Sequence, residues 1–148
     1  MSKGLRWCSQ GCGTLGISMK YISGNCHCGA VQFELKSPLD EFTTCDCSLC
    51  VMRNAVMLKV PEVDLKIISG EDKLTLYQWN MKIAKHYFCS DCGIYVFHNK
   101  RAAPDHFGVN VHCFRNVDVS AIRIRATVGE NMTVNINTAQ PHWLGPRV

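Results

Sequence analysis

Residues 24–35 read GNCHCGAVQFEL: a CxC pair, a glycine, then a run in which Val31, Phe33 and Leu35 alternate with polar residues. Alternation with a period of two marks a strand with one buried face. FCSDCG, residues 88–93, is a second thiol pair ending in glycine. CxxC followed by Gly is a tight turn aiming two sulfurs at one metal, and Gly93 permits a positive φ just past the second ligand. On an extended chain Cys26 and Cys28 would share a face while His27 points away.

Outward from these turns the texture is that of a β protein. Short runs with partial alternation recur at 55–60, 64–68, 73–79, 84–88, 93–98, 107–112 and 121–128. Turn signals separate most of them, among them SPLD, the SG-ED stretch and APD. No segment carries helical periodicity. A chain of 148 residues suits one domain. The expectation is a single all-β domain over 22–148, preceded by a Gly-rich N-terminal extension over 1–21.

No apolar run reaches the roughly eighteen residues that span a membrane. The first residues lack the continuous apolar segment of a secretory signal, so a cytoplasmic, reducing location is expected. There the ten cysteines read as metal ligands rather than disulfides. The net charge of +4 hints at an anionic partner. Seven bound thiolates and two Zn²⁺ would bring the chain near +1, and no basic stripe interleaved with aromatics points to nucleic acid.

Cys26, Cys28, Cys89 and Cys92 form the economical four-thiol structural zinc site, although the CxC at 45–47 could replace that at 26–28. The remaining set lies in CDCSLC, residues 45–50, where Cys50 would return through a turn at Ser48-Leu49. Three thiols invite three readings. One is a zinc with three protein ligands and an exchangeable position, as catalytic zinc requires. Another is a closed site completed by Cys113, His86, His98 or His112. The third is a redox group without metal. An electron-rich three-thiolate zinc suits a thiol substrate, because zinc lowers the pKa of a coordinated thiol.

The series GNCHCGAVQFEL, CDCSLC, LYQW (76–79), FCSDCG and GVNVHCF (108–114) resembles the glutathione-dependent formaldehyde-activating enzyme family, which includes centromere protein V-like proteins. The match is strongest over 22–115. The resemblance implies a zinc-stabilised β-tent fold of antiparallel sheets and two zinc ions per chain. Cys26, Cys28, Cys89 and Cys92 would hold the structural one; Cys45, Cys47 and Cys50 would hold the catalytic one. It further implies a carbon–sulfur lyase-type reaction joining formaldehyde, or a related aldehyde, to glutathione as S-(hydroxymethyl)glutathione. A zinc-stabilised protein-binding module without catalysis is the rival.

Among other residues, Arg53 is the candidate for a substrate carboxylate, being nearest the three-cysteine set, with Lys82, Lys85, Lys100 and Arg101 behind it. Cys8 and Cys12 read as incidental thiols, Cys113 as a buried one, and Trp79, Tyr77, Phe88, Tyr95 and Phe97 as sheet-face or core residues.

Overall fold

The computed structural model describes residues 16–79 and 81–127. Cys8, Cys12, most of the expected extension and the segment after 127 lie outside these residues.

Among the described residues, ten strands make two sheets. They are β1 (Lys20–Asn25), β2 (Gln32–Ser37), β3 (Phe42–Cys45), β4 (Val56–Pro61), β5 (Leu65–Ser69), β6 (Leu74–Tyr77), β7 (Lys85–Cys89), β8 (Tyr95–Lys100), β9 (Ala103–Asn110) and β10 (Ile124–Thr127). One sheet runs β1-β2-β5, the other β10-β3-β4-β9-β8-β7-β6. The mainly β, single-domain architecture is the expected one, with one exception to its antiparallel pairing: β10 lies parallel to β3.

Period-two alternation positions everything that follows. In β4, Leu58 and Val60 point into the main core, where they meet Ile22, Phe33 and Leu35 from the smaller sheet and Val109 from β9. Met57 and Lys59 point the other way, onto the face that carries the site. Phe114 ties the sheets together, its ring centroid 6.4 Å from those of both Phe33 and Phe42.

Gly24 sits opposite Phe33 across β1 and β2. A Cβ there would press into the Phe33 ring and the Cys113 carbonyl. Gly24→Ala should therefore cost about 1–3 kcal/mol through overpacking, measured as a lowered urea midpoint with an unchanged slope.

Four readings from the sequence change. A short helix, α1 (Ser48–Arg53), replaces the expected turn at Ser48-Leu49; six residues are too few to show helical periodicity. It ends at Asn54, whose φ of 49° is the left-handed conformation that asparagine tolerates. APD lies within β9, not in a turn; the chain reverses at Arg101-Ala102, and Pro104 falls where the β8–β9 register shifts. Strands β1 and β3 carried no signal, and β1 begins inside the stretch read as an extension. Finally, His27 and Cys28 occupy a turn rather than an extended strand.

Candidate functional site

Two turns bring the first thiol set together. The backbone N–H of Gly29 donates to Cys26 O (3.1 Å), and that of Gly93 donates to Cys89 O (2.8 Å). Gly29 and Gly93 have φ of 78° and 73°, which a Cβ would oppose. The sulfurs of Cys26, Cys28, Cys89 and Cys92 then lie within 4.8 Å of one another. The CxC at 45–47 lies outside this group of sulfurs. Cys26 and Cys28 Sγ are 3.5 Å apart, Cys28 and Cys89 Sγ 3.7 Å. Bonds of about 2.3 Å to a tetrahedral zinc would separate sulfurs by roughly 3.8 Å. The donor set fits zinc.

The second set is built by the end of β3 and the start of α1. Cys45 closes the strand, Cys47 is the residue before the helix, and Cys50 lies in its first turn. Their sulfurs also fall within 4.8 Å of one another. Among the described residues no histidine, carboxylate or further cysteine joins either set at that distance. Cys113 instead reaches toward Tyr95 O (3.8 Å). Hydrogen bonds from the Cys47 and Cys50 thiols favour the Cys45 thiolate and hold its pKa well below the ordinary thiol range. Three closely placed thiols, one readily ionised, make an anionic donor set of the kind zinc takes.

This set opens on a cleft of about 640 Å³, within the range of small-molecule sites. Its lining includes Lys59, Lys100 and Arg125 and the apolar Trp79, Met81 and Ile83. Lys100 is half-buried; desolvation lowers its pKa, while the nearby Cys50 and Cys45 favour its charged form. Arg125 is paired with Glu41 at 2.8 Å.

Beside the thiols, His86 from β7 and His98 from β8 also line the cleft. Cross-strand pairing puts the two rings face to face, with centroids 4.9 Å apart. They are only 5% and 7% exposed. Arg53 Nη1 lies 3.1 Å from His86 Nδ1, and the guanidinium stacks over the Tyr95 ring at 4.7 Å. Tyr95 Oη is 2.5 Å from His98 Nδ1 and donates to Gly108 O at 3.0 Å. Gly108 is required here because a Cβ would collide with the His98 ring. Burial, then the Arg53 cation, lowers the His86 pKa to about 4. Burial, with His86, Lys100 and Arg53 nearby, drives that of His98 well below the usual histidine value. Both rings are neutral near pH 7.

The sequence candidates therefore separate. Lys82, Lys100 and Arg101 border the cleft, while Lys85 belongs to a different surface depression. Arg53 turns toward His86 and Tyr95. Tyr95 is a buried core residue, as expected, and also a hydrogen-bonding hub; its contact with His98 on the same strand accompanies the register shift between β7 and β8, which local sequence does not reveal. Lys59 and Arg125 had no signal beyond their charge.

Residues 21–133 match the family model described as glutathione-dependent formaldehyde-activating enzyme. The chain is 31% identical over 88 residues to a Halomonas elongata protein provisionally given that family's name, covering 51% of this chain and 55% of that protein. The chain thus spans about half the length of that relative. It is also similar to the crystal structure of a Rhodobacter sphaeroides protein, with a TM-score of 0.64 and 37% identity over 70% of this chain and 99% of the other.

Proposed function

Because the chain belongs to the glutathione-dependent formaldehyde-activating enzyme family, we propose that it interconverts formaldehyde, or a related small aldehyde, and glutathione with S-(hydroxymethyl)glutathione. In the reverse sense this is a carbon–sulfur lyase reaction. The carrying observation is the three-thiol set of Cys45, Cys47 and Cys50 at the wall of a cleft that also presents cations. In this reading Cys26, Cys28, Cys89 and Cys92 hold a structural zinc, and Cys45, Cys47 and Cys50 a second. A zinc bound at the three thiols would supply a positive centre that keeps an incoming thiol ionised near neutral pH.

The chain's own groups do the rest. Lys59, Lys100 and Arg125 face the cleft and suit the carboxylates of glutathione; Arg53, bound to His86, is better placed to position that ring. Trp79, Met81 and Ile83 give the cleft an apolar part of its lining. Holding thiol and aldehyde together lowers the entropic cost of their addition. In this proposal the catalytic domain takes in β1, so it begins by Lys20 rather than at residue 22. Eight free thiols among the described residues suit cytoplasmic, reducing surroundings. Among those residues, no helix is long and apolar enough to cross a membrane.

NMR exchange spectroscopy on the zinc-loaded protein tests this directly. The protein should accelerate exchange between formaldehyde, glutathione and their adduct. Lys100→Met should raise the glutathione concentration at half-maximal rate by about tenfold, the loss of one charge-assisted contact. No acceleration by a folded protein carrying both metals would sink the reaction and leave a zinc-stabilised protein-binding module.

A further inference from the structure

The two buried histidines carry more information than their proximity. An arginine side chain has donors only. With Arg53 Nη1 at 3.1 Å, His86 Nδ1 must be the acceptor, so the neutral ring carries its proton on Nε2. The hydrogen-bond accounting around His98 gives the opposite result. Tyr95 has one hydroxyl proton and two close partners, His98 Nδ1 and Gly108 O. Both contacts are made together only when that proton goes to the carbonyl and Nδ1–H of His98 donates to the tyrosine oxygen. His98 therefore has its lone pair on Nε2.

Both rings line the cleft. With each Nδ1 engaged, Nε2 is the nitrogen each ring has left for a ligand. The stacked pair then offers one donor and one acceptor. An aldehyde oxygen can use only the donor. A hydroxyl, with one proton and two lone pairs, can use both. We infer that His86 and His98 form a hydroxyl-recognition pair for a 1-hydroxyalkyl thioether, the adduct of a thiol with an aldehyde, with His86 Nε2–H donating to the adduct oxygen and His98 Nε2 accepting its proton.

The inference rests on the reaction proposed above and gives its adduct a place to bind. In the addition, the C–S bond forms and the C=O π pair moves onto oxygen. That oxygen takes up the proton released by the thiol, which His98 Nε2, the acceptor of the pair, would relay. His86 meets the same oxygen as negative charge develops, where a fixed donor is most effective. Arg53 and Tyr95 are positioning residues, each fixing one tautomer.

The test uses zinc-loaded, full-length protein. Its ring tautomers are read by ¹⁵N NMR, and binding is measured for S-(2-hydroxyethyl)glutathione and S-propylglutathione, which differ by hydroxyl against methyl. His86 should be protonated on Nε2 and His98 on Nδ1. The hydroxyl compound should bind at least about tenfold more tightly, as expected for a buried hydrogen-bonding pair. His86→Phe and His98→Phe should each abolish that preference, whereas His86→Gln, which retains a donor, should keep most of it. The opposite tautomer on either ring, equal affinity for the two compounds or binding of neither would overturn the inference. A hydroxyl preference without accelerated exchange would support the recognition pair while sinking the reaction.

Discussion

Cys89→Ser is expected to abolish cooperative folding at 25 °C. Cys89 is fully buried and belongs to the main core. It closes β7 and, through the Cys28 sulfur 3.7 Å away, faces the turn that follows β1. A metal at these four thiols would cross-link the two sheets, at positions far apart in sequence. Structural zinc contributes roughly 10–16 kcal/mol of apparent binding free energy in small zinc-finger peptides. Domains of ordinary stability have only about 5–15 kcal/mol in total. Serine retains the size of the side chain and is a far weaker zinc ligand, so the loss would consume most or all of that margin. Far-UV circular dichroism during thermal unfolding and zinc content by mass spectrometry are the measurements. Cys113→Ala is the control: its thiol is also buried but belongs to neither metal set, and both metals should remain. A Cys89→Ser protein with a native melting transition would show that these thiols hold nothing of structural weight.

Much of this arrangement was legible because zinc turns and half-buried strands are local patterns. CHCG and FCSDCG announce themselves, and the alternation in AVQFELK identifies a strand without knowledge of its partners. Segments too short or too mixed for periodicity did not show. FTTC gives β3 only four residues, and KYISGN interrupts β1 with small polar residues. α1 contributes fewer than two turns, and its first half, Ser48 to Cys50, belongs to a cysteine motif. The parallel pairing of β10 with β3 is a contact across more than eighty residues of chain, invisible to any local pattern. His86 and His98 were legible only singly, as candidate closing ligands for a zinc, and not as a pair. His98 ends an apolar stretch, whereas His86 lies between Lys85 and Tyr87. Only the register of β7 on β8 stacks them, and only α1, itself unforeseen, brings Arg53 onto His86.

Cys47→Ser should have the contrasting effect: a folded protein with one zinc rather than two, and a rate of adduct exchange lower by at least about 100-fold. That loss corresponds to roughly 2.7 kcal/mol of transition-state stabilisation. The separation follows from packing. Cys47 and Cys50 sit in a small cluster with Ala55, Met57 and Tyr95, apart from the main core that contains Cys26 and Cys89. Around them α1 is held by its own backbone bonds, including Val51 N–H to Cys47 O and Ala55 N–H to Cys50 O, each 3.0 Å. Losing a metal there should loosen α1 and lower the melting temperature by a few degrees, leaving the two sheets joined. Activity should suffer far more, because the substituted thiol stands at the cleft wall. Two results would reverse this assignment. Full activity in Cys47→Ser would place the reaction away from these thiols, and unfolding as complete as that expected for Cys89→Ser would make the three-cysteine set a structural clamp.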